Sequence, residues 1–240
     1  MDNAGYVTLT RQTGLLREMQ AVANNLANMS TTGFQREKTL FAEVIERLPV
    51  EGGSLSMADA RVRATEFSQG GLMRTGAPFD MAIEGPGFFQ IETPDGLRLT
   101  RDGAFLRSAA GELVTADGHQ VLDAGGAPIF LPPAAGKIEI SSDGTVTADG
   151  TPVAAMGVVT VADEGALRRE GGVMFIPEGG LEPALESTIH QGFLEGSSVS
   201  PVTEITRMIE VQRAYEAGQS LLEREDERIS SVVRTLGQPK

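Results

Sequence analysis

The stretch that decides the fold is SPVTEITRMIEVQRAYEAGQSLLEREDERISSVVRTL, residues 200–236, which reads as one long amphipathic helix. Its start is marked by Ser200 as N-cap, Pro201 at the first helical position and Glu204 in the positively polarised first turn. From Pro201 onward, 36 residues at a rise of ~1.5 Å make a rod of roughly 50 Å, far longer than a mean globular helix. Such a helix projects from a small domain, so other helices are needed to cover its apolar stripe.

The stripe on this helix follows the alternating three- and four-residue steps of a coiled-coil seam. Its members are Ile205, Met208, Gln212, Tyr215, Gln219, Leu222, Asp226, Ile229, Val233 and Leu236. Polar members weaken hydrophobic pairing but can fix register and partner choice. Periodicity alone leaves two arrangements open: packing within an oligomer, or an antiparallel hairpin of both termini folded back on the rest of the chain.

A second helix is predicted at the N-terminus, from Tyr6 to Ser30. Its apolar positions are Leu9, Leu16 and Ala23 in one row, and Leu15, Met19, Val22 and Leu26 in another. We expect the helix to stop near Gly33, which can take the left-handed conformation, with Phe34 folding back as a hydrophobic contact. The i, i+3, i+4, i+7 pattern of Phe41, Val44, Ile45 and Leu48 then predicts a short further helix. Pro49, Gly52 and Gly53 end it and begin a linker.

The middle of the chain changes from helical to strand-like periodicity. Typical runs are Phe88-Phe89-Gln90-Ile91, Leu97-Arg98-Leu99, Glu112-Leu113-Val114, 157–161 and 173–176. Asp-Gly pairs at 95–96, 102–103, 117–118, 143–144 and 149–150 supply the tight turns that short hairpins need. The predicted fold is therefore α+β, with long N- and C-terminal helices pairing as a coiled-coil-like core domain and a central all-β domain of short antiparallel strands. The expected divisions are 1–35 (N-terminal helix), 36–71 (short helix and linker), 72–190 (β domain) and 191–240 (C-terminal helix).

Composition excludes several classes of function. A net charge of −13 repels nucleic-acid phosphates. The chain has no cysteine, so disulfides, thiol catalysis and zinc–thiolate sites are excluded. The first twenty residues lack a secretory signal pattern, and no apolar run is long enough to cross a bilayer. We therefore expect no nucleic-acid binding, no membrane insertion and no cleaved signal peptide.

Candidate catalytic and binding residues have structural explanations. The carboxylates Glu84, Glu92, Asp95 and Asp102 are the best material for a glycoside hydrolase, the rival hypothesis together with a glycan-binding module. Asp95 and Asp102 each precede a turn glycine, and the low aromatic content of 5% leaves little to stack a sugar. Gly85-Pro86-Gly87 lacks the dinucleotide fingerprint, and His119 and His190 are too few for a histidine metal cluster. No catalytic residue, cofactor or metal site is predicted.

Three groups of motifs, in order along the chain, resemble the rod, hook and hook-related axial proteins of the bacterial flagellum. The first group is Ala23-Asn24-Asn25-Leu26-Ala27-Asn28 followed by Thr31-Thr32-Gly33-Phe34 and Arg36. The second comprises 75–83, Gly85-Pro86-Gly87-Phe88-Phe89, Thr100-Arg101-Asp102-Gly103-Ala104-Phe105 and 111–115. The third comprises Gly192-Phe193-Leu194-Glu195, 204–209, Gln212-Arg213-Ala214-Tyr215-Glu216 and Asp226-Glu227. At Ser198, where these proteins commonly carry asparagine before Val199, the sequence departs from the pattern.

The resemblance implies a structural subunit of the flagellar basal-body rod and not an enzyme. The proximal rod is the first assignment, and the distal rod or a hook-related position is the alternative. Implied partners are further copies of the chain, other proximal and distal rod subunits and the flagellar type III export apparatus, with the rod spanning the periplasm. The terminal helices would form the inner tube of a hollow drive shaft. Predicted interface residues are Leu16, Met19, Asn24, Asn25, Leu26, Asn28, Phe34, Ile205, Met208, Gln212, Tyr215, Leu222, Ile229 and Val233.

Overall fold

The computed structural model describes residues 2–47 and 54–236, which form two α-helices, eighteen strands and one short 3-10 helix (Glu164–Ala166). The α-helices are α1 (Asp2–Ala27) and α2 (Pro201–Leu236). The strands are β1 (Arg36–Arg47), β2 (Ser54–Glu66), β3 (Leu72–Arg74), β4 (Met81–Glu84), β5 (Phe88–Thr93), β6 (Gly96–Thr100), β7 (Leu106–Arg107), β8 (Leu113–Val114), β9 (Gln120–Val121), β10 (Ile138–Ile140), β11 (Thr145–Ala148), β12 (Thr151–Ala155), β13 (Val158–Val161), β14 (Leu167–Glu170), β15 (Met174–Pro177), β16 (Leu181–Pro183), β17 (Thr188–Gln191) and β18 (Phe193–Glu195).

The chain divides into two compact units. The helical unit contains Met1–Ala27, Glu37–Ala64 and Ser200–Lys240. The β unit contains Asn28–Arg36 and Thr65–Val199. The chain therefore passes between the units at four points, and each unit is assembled from separate segments of sequence.

The β unit is built on a nine-stranded sheet. Its main path runs β14-β15-β6-β5-β9-β8-β7, and β13 pairs with both β5 and β16. The hairpin β5–β6 turns at Asp95-Gly96, with Thr93 opposite Gly96 and a positive φ of 98° at the glycine. This conformation is easy for glycine and strained for other residues, so the Asp-Gly pair fixes the register of the central strands.

The adjacent residues Phe88 and Phe89 of β5 belong to two different hydrophobic clusters. Because neighbouring strand residues point to opposite faces of a sheet, Phe88 and Phe89 lie on opposite sides. Phe89 belongs to a cluster with Met81, Ile83 and Phe105. Phe88 belongs to a second cluster; its other buried members are Leu99, Val159, Val161, Leu167 and Phe175. Both faces of the central strand are thus covered at this point, which explains why two adjacent residues are both large and apolar.

In the helical unit, α1 and α2 contact each other and run antiparallel. Gln12, Glu18 and Asn25 of α1 bond to residues 215, 207 and 204 of α2, so partner numbers fall as α1 proceeds. The side of α2 turned toward α1 has a heptad spacing; its buried and half-buried members are Glu204, Met208, Val211, Tyr215, Gly218, Leu222 and Glu225. No helix in the described residues is long and apolar enough to cross a membrane.

Between Ile205 and Asp226, every second position of the seam predicted for α2 lies off the side turned toward α1; the side chains of Ile229, Val233 and Leu236 lie outside the described residues. Met208, Tyr215 and Leu222 lie on the inner side, but Ile205, Gln212 and Gln219 are exposed, as is Asp226, and their preceding neighbours are turned inward instead. Hydrophobicity favoured Ile205 over Glu204. The observed inner side is set by polar contacts instead. Asn25 of α1 bonds to Glu204, and Gly218 leaves space for Gln12 of α1.

The predicted short helix after Gly33 is also wrong. Residues 36–47 form strand β1, which pairs with β2 in a two-stranded sheet. The spacing of Phe41, Val44 and Ile45 fits a helix, but β-branched residues fit a strand equally well, and pairing with the following strand β2 satisfies the backbone hydrogen bonds. Leu48, Pro49, Gly52 and Gly53 lie outside the described residues.

These strands overturn the predicted fold description. The α+β class stands, but the helical unit is not a domain of two paired helices, because segments of β1 and β2 belong to it. At 12 and 13 residues, β1 and β2 are the longest strands described, so the strands are not all short. Helix α1 also ends at Ala27, earlier than expected, although Gly33 does adopt a left-handed φ of 67°.

Candidate assembly surface

Apolar side chains line the outer sides of both terminal helices. On α1, Leu9 is 55% exposed and Leu16, seven residues later, is 42% exposed. On α2, Val202, Ile205 and Ile209 are 76%, 49% and 46% exposed, at steps of three and four residues. We call these five residues the outer rows. Since residues at these spacings share one side of a helix, the three residues of α2 form a continuous apolar strip accessible to a partner, and the two leucines of α1 lie two turns apart on one side.

The predicted interface residues fall into three groups. Leu16, Ile205 and Gln212 are exposed on the described surface. Half-buried positions are Met19, Asn24, Leu26, Asn28, Met208, Tyr215 and Leu222. Asn25 and Phe34 are fully buried within the chain. The side chains of Ile229 and Val233 lie outside the described residues.

Asn25 joins three elements of the helical unit. Its Oδ1 accepts a hydrogen bond of 2.8 Å from the backbone N of Glu37, and its Nδ2 donates to the backbone O of Glu37, also at 2.8 Å. The same Nδ2 donates to Oε2 of Glu204 at 3.1 Å. The amide therefore supplies a donor and an acceptor to β1 while holding a buried carboxylate of α2. Only an amide presents both groups in this geometry.

A second polar contact crosses the helix pair near its middle. Gln12 of α1 donates from Nε2 to the backbone O of Tyr215 at 3.0 Å. A side-chain Cβ at Gly218 would lie 2.4 Å from that Nε2. Gly218 therefore admits the glutamine to the backbone of α2, which explains a glycine inside a long helix.

An ion pair adds a third contact between the helices. Arg207 donates from Nε to Oε1 of Glu18 at 2.6 Å and from Nη1 to Oε2 of Glu210 at 3.0 Å. Partial burial lowers the pKa of the Arg207 guanidinium, but the bonds to Glu210 and Glu18 outweigh this effect and raise it. The Glu18 side chain is only 10% exposed, whereas Arg207 is 45% exposed, so the pair lies at the edge of the helix contact.

Sequence reasoning missed Gln12, Glu18, Glu37 and Glu204, all of which are buried polar residues. Polar and charged residues are rarely buried unless paired, so a search for apolar patterns did not select them. The one available signal was Gly218, since a glycine inside a helix often marks close packing.

Two of the four carboxylates weighed as hydrolase candidates, Glu84 and Asp102, make contacts within the β unit. Oε2 of Glu84 lies 2.6 Å from Nε2 of His190 in an exposed pair. Oδ1 of Asp102 accepts from the backbone N of Ala104 at 3.1 Å, inside the turn. Burial raises the pKa of Asp102, and the negative charges of Asp80 and Asp117 raise it further. Within the described ranges, no three acidic or histidine side chains converge as a metal site would require.

Comparison with known families gives three matches along the chain. The family model "Flagella basal body rod protein" matches residues 6–35, and "Flagellar hook protein FlgE/F/G D1 domain" matches residues 82–148. The model "Flagellar basal body rod FlgEFG protein C-terminal" matches residues 190–235. The matches therefore cover α1, much of the β unit and α2.

Individual relatives match over the full length. The flagellar basal-body rod protein FlgF of Caulobacter vibrioides is 39% identical over 243 residues, covering 99% of each chain. FlgF of Mesorhizobium japonicum is 36% identical with the same coverage. The flagellar basal-body rod protein FlgG of Agrobacterium fabrum is 33% identical, covering 91% of this chain and 93% of its own.

Proposed function

Because the chain belongs to the flagellar basal-body rod protein family, we infer that it is a structural subunit of the rod, in the proximal position. The observation that carries the assignment is end-to-end likeness to proteins named FlgF, at 33–39% identity over 99% of the chain. The match to FlgG, at 33% identity, equals the lowest of these identities but covers only 91% of the chain, so the distal rod is the alternative.

We propose that the outer rows carry assembly with other rod subunits. Five large apolar side chains on two helix surfaces stand in water in the isolated chain, and burying each against a partner stabilises by about 1 kcal/mol or more. Assembly through exposed helix faces leaves the buried contacts of Asn25 and Phe34 undisturbed. Among the predicted interface residues, Leu16 and Ile205 therefore become the principal candidates.

The remaining features follow from membership of a rod. We propose further copies of the chain and neighbouring rod subunits as partners, export through the flagellar type III apparatus, and a final position in the periplasm-spanning rod. We propose no catalytic role, and the purified chain is expected to release no sugar from peptidoglycan. Such turnover, lost on Glu92→Gln, would instead support the hydrolase hypothesis.

The experiment replaces Leu16 or Ile205 by aspartate in cells that lack their own copy of the protein. Both side chains are substantially exposed, so the isolated variants should melt within a few degrees of the wild type. Basal bodies isolated from these cells should lack the subunit, and the cells should not swim. Leu185→Asp is the matched control, because Leu185 is an apolar residue of the β unit that is 91% exposed.

Normal incorporation of both helix variants would contradict the role of the outer rows. Electron cryomicroscopy of wild-type basal bodies decides between the rod positions. Density for the chain next to the base of the rod supports the proximal assignment, and density only in the distal segment replaces it.

A further inference from the structure

Three passages of the β unit lead toward the points where the chain leaves it: residues 28–36, 65–71 and 192–199. The chain passes between the units at four points. Both ends of the first passage lie at such points, and the second and third passages each have one end at such a point. The carboxyl residue Glu195 is 0% exposed and lies where these passages meet.

Glu195 belongs to the third passage and bonds to the other two through different atoms. Its backbone O accepts from the N of Gly33 at 2.9 Å. Its Oε1 accepts from Nε2 of Gln35 at 3.3 Å and from the backbone N of Gly70 at 3.0 Å. One residue of the third passage is therefore bonded to both of the others.

The other carboxylate oxygen connects the passages to the sheet. Oε2 of Glu195 accepts from Nε of Arg101 at 2.8 Å, and Arg101 is itself 5% exposed. Nη1 of Arg101 donates to the backbone O of Gly85 at 2.9 Å and of Gly87 at 2.6 Å. These glycines lie between β4 and β5, so the arginine holds the buried charge of Glu195 against the central sheet.

The surrounding contacts leave the passages little freedom. A Cβ at Gly33 would lie 2.3 Å from the backbone N of Asp102, and one at Gly70 would lie 2.0 Å from the O of Gly196. Ser198 donates its backbone N to the O of Phe34 at 3.0 Å, and its Oγ accepts from the N of Arg36 at 2.9 Å. The serine that departs from the family pattern therefore connects the first and third passages.

We propose that Glu195 is a positioning residue that keeps the three passages fixed relative to one another and to the sheet. The hydrogen bonds that a buried carboxylate accepts offset the free-energy cost of removing its charge from water. If one bonded segment moves away, the carboxylate loses one of these bonds, and its buried charge becomes less stable. A force pulling on one passage is then shared by the other two and by the sheet. The relevance to a drive shaft rests on the proposed rod function, whereas the positioning itself does not.

Hydrogen exchange of the purified full chain tests the positioning. Glu195→Gln removes the charge and should raise the exchange rates of the Gly33, Gly70 and Ser198 amides together, by roughly tenfold or more. The amides of Leu122 and Ile129, which donate to backbone oxygens within the sheet, should change by less than about threefold.

Two further variants complete the experiment. Gln35→Met keeps the buried ion pair, so the fold survives, and should raise exchange at Gly33 and Ser198 by a smaller factor. Glu178→Gln is the control, because it breaks an exposed ion pair of 2.8 Å with Arg168 in the same unit. It should leave these amides unchanged.

Either of two results overturns the proposal. A uniform rise at passage and sheet amides would mean that Glu195 only stabilises the unit as a whole. A rise at Gly70 alone in Glu195→Gln, with no change in Gln35→Met, would mean that its contacts act separately. The exchange measurements use the isolated chain, so a negative result there does not contradict the proposed rod function. A negative result in the rod-incorporation experiment likewise does not change the exchange rates.

Discussion

The side-chain amide of Gln12 occupies the space into which a side chain at Gly218 would project, with only 2.4 Å between Nε2 and an ideal Cβ. Gly218→Ala should therefore have two opposing effects. Alanine favours a helix over glycine by about 1 kcal/mol. Displacing Gln12 removes a partly buried hydrogen bond and leaves its amide unpaired, which costs about 1–3 kcal/mol.

We expect Gly218→Ala to lower the free energy of unfolding slightly in the wild type and to raise it in a Gln12→Ala background. Urea unfolding followed by helical circular dichroism measures both effects. The change of sign is the decisive result, because it isolates the coupling between the two positions. Equal effects in both backgrounds would show that the two residues do not interact.

Asn25 offers a sharper test of the polar contacts between α1, β1 and α2. Asn25→Asp keeps the shape but replaces the donor nitrogen by an oxygen facing the O of Glu37 and the carboxylate of Glu204. The expected loss is about 3 kcal/mol or more at neutral pH, because three acceptors then meet without a proton.

The loss should shrink as the pH falls, since a protonated aspartic acid regains a donor. Asn24→Asp provides the control, because Asn24 is the adjacent amide on the same helix and is only half-buried. Its effect should be about 1 kcal/mol or less. Equal losses at both positions would remove the special role assigned to Asn25.

Local sequence chemistry predicted much of the β unit. Each predicted strand run overlaps an observed strand, and Gly96, Gly118, Gly144 and Gly150 adopt the positive φ values expected after aspartate, whereas Gly103 does not. These features depend on neighbouring residues, so one sequence contains the information. The prediction failed for residues 36–47, whose spacing fits a helix but which form a strand because the next segment along the chain, β2, pairs with them.

The helix contact shows a second limit of sequence reasoning. Patterning ranked positions by hydrophobicity and therefore selected Ile205 in place of Glu204 for the inner side of α2. Glu204 is buried because Asn25 bonds to it, and that partner lies 179 residues away in the sequence. Phe34, which the family resemblance placed in the predicted interface, is fully buried within the β unit.

Phe34 is held in the β unit by Arg169 of β14. The guanidinium carbon of Arg169 lies 4.7 Å from the Phe34 ring centroid and 4.9 Å from that of Phe175. Phe34→Leu should destabilise the β unit by about 1–2 kcal/mol, because cation–π attraction and some packing are lost. Phe34→Ala should cost about 3–5 kcal/mol.

Chemical unfolding of the two variants measures these losses. The control is Phe130→Leu, since Phe130 is an aromatic residue of the same unit that is 52% exposed, and it should change stability little. If Phe34→Leu lowers the free energy of unfolding no more than Phe130→Leu does, the contact between Arg169 and the Phe34 ring does not stabilise the β unit.

The acid stability of the β unit should depend on Asp102. Burial raises the pKa of this carboxyl group, the charges of Asp80 and Asp117 raise it further, and the hydrogen bond from Ala104 lowers it only in part. The folded state therefore holds the proton more tightly than the unfolded state, whose pKa is close to the ordinary value of about 4. Ionised Asp102 thus opposes folding at neutral pH, and this penalty disappears as the pH falls through the folded and then the unfolded pKa.

Asp102→Asn should consequently stabilise the protein at pH 7, because the amide oxygen still accepts from Ala104 without a buried charge. The gain should decline as the pH falls and vanish below about 4. Asp143→Asn is the opposite control: backbone and side-chain hydrogen bonds from Thr145 lower the pKa of Asp143, so its carboxylate favours folding above the ordinary pKa. Unfolding midpoints in urea between pH 3 and pH 7 measure both variants. A pH-independent gain for Asp102→Asn, or a loss at pH 7, would contradict the raised pKa.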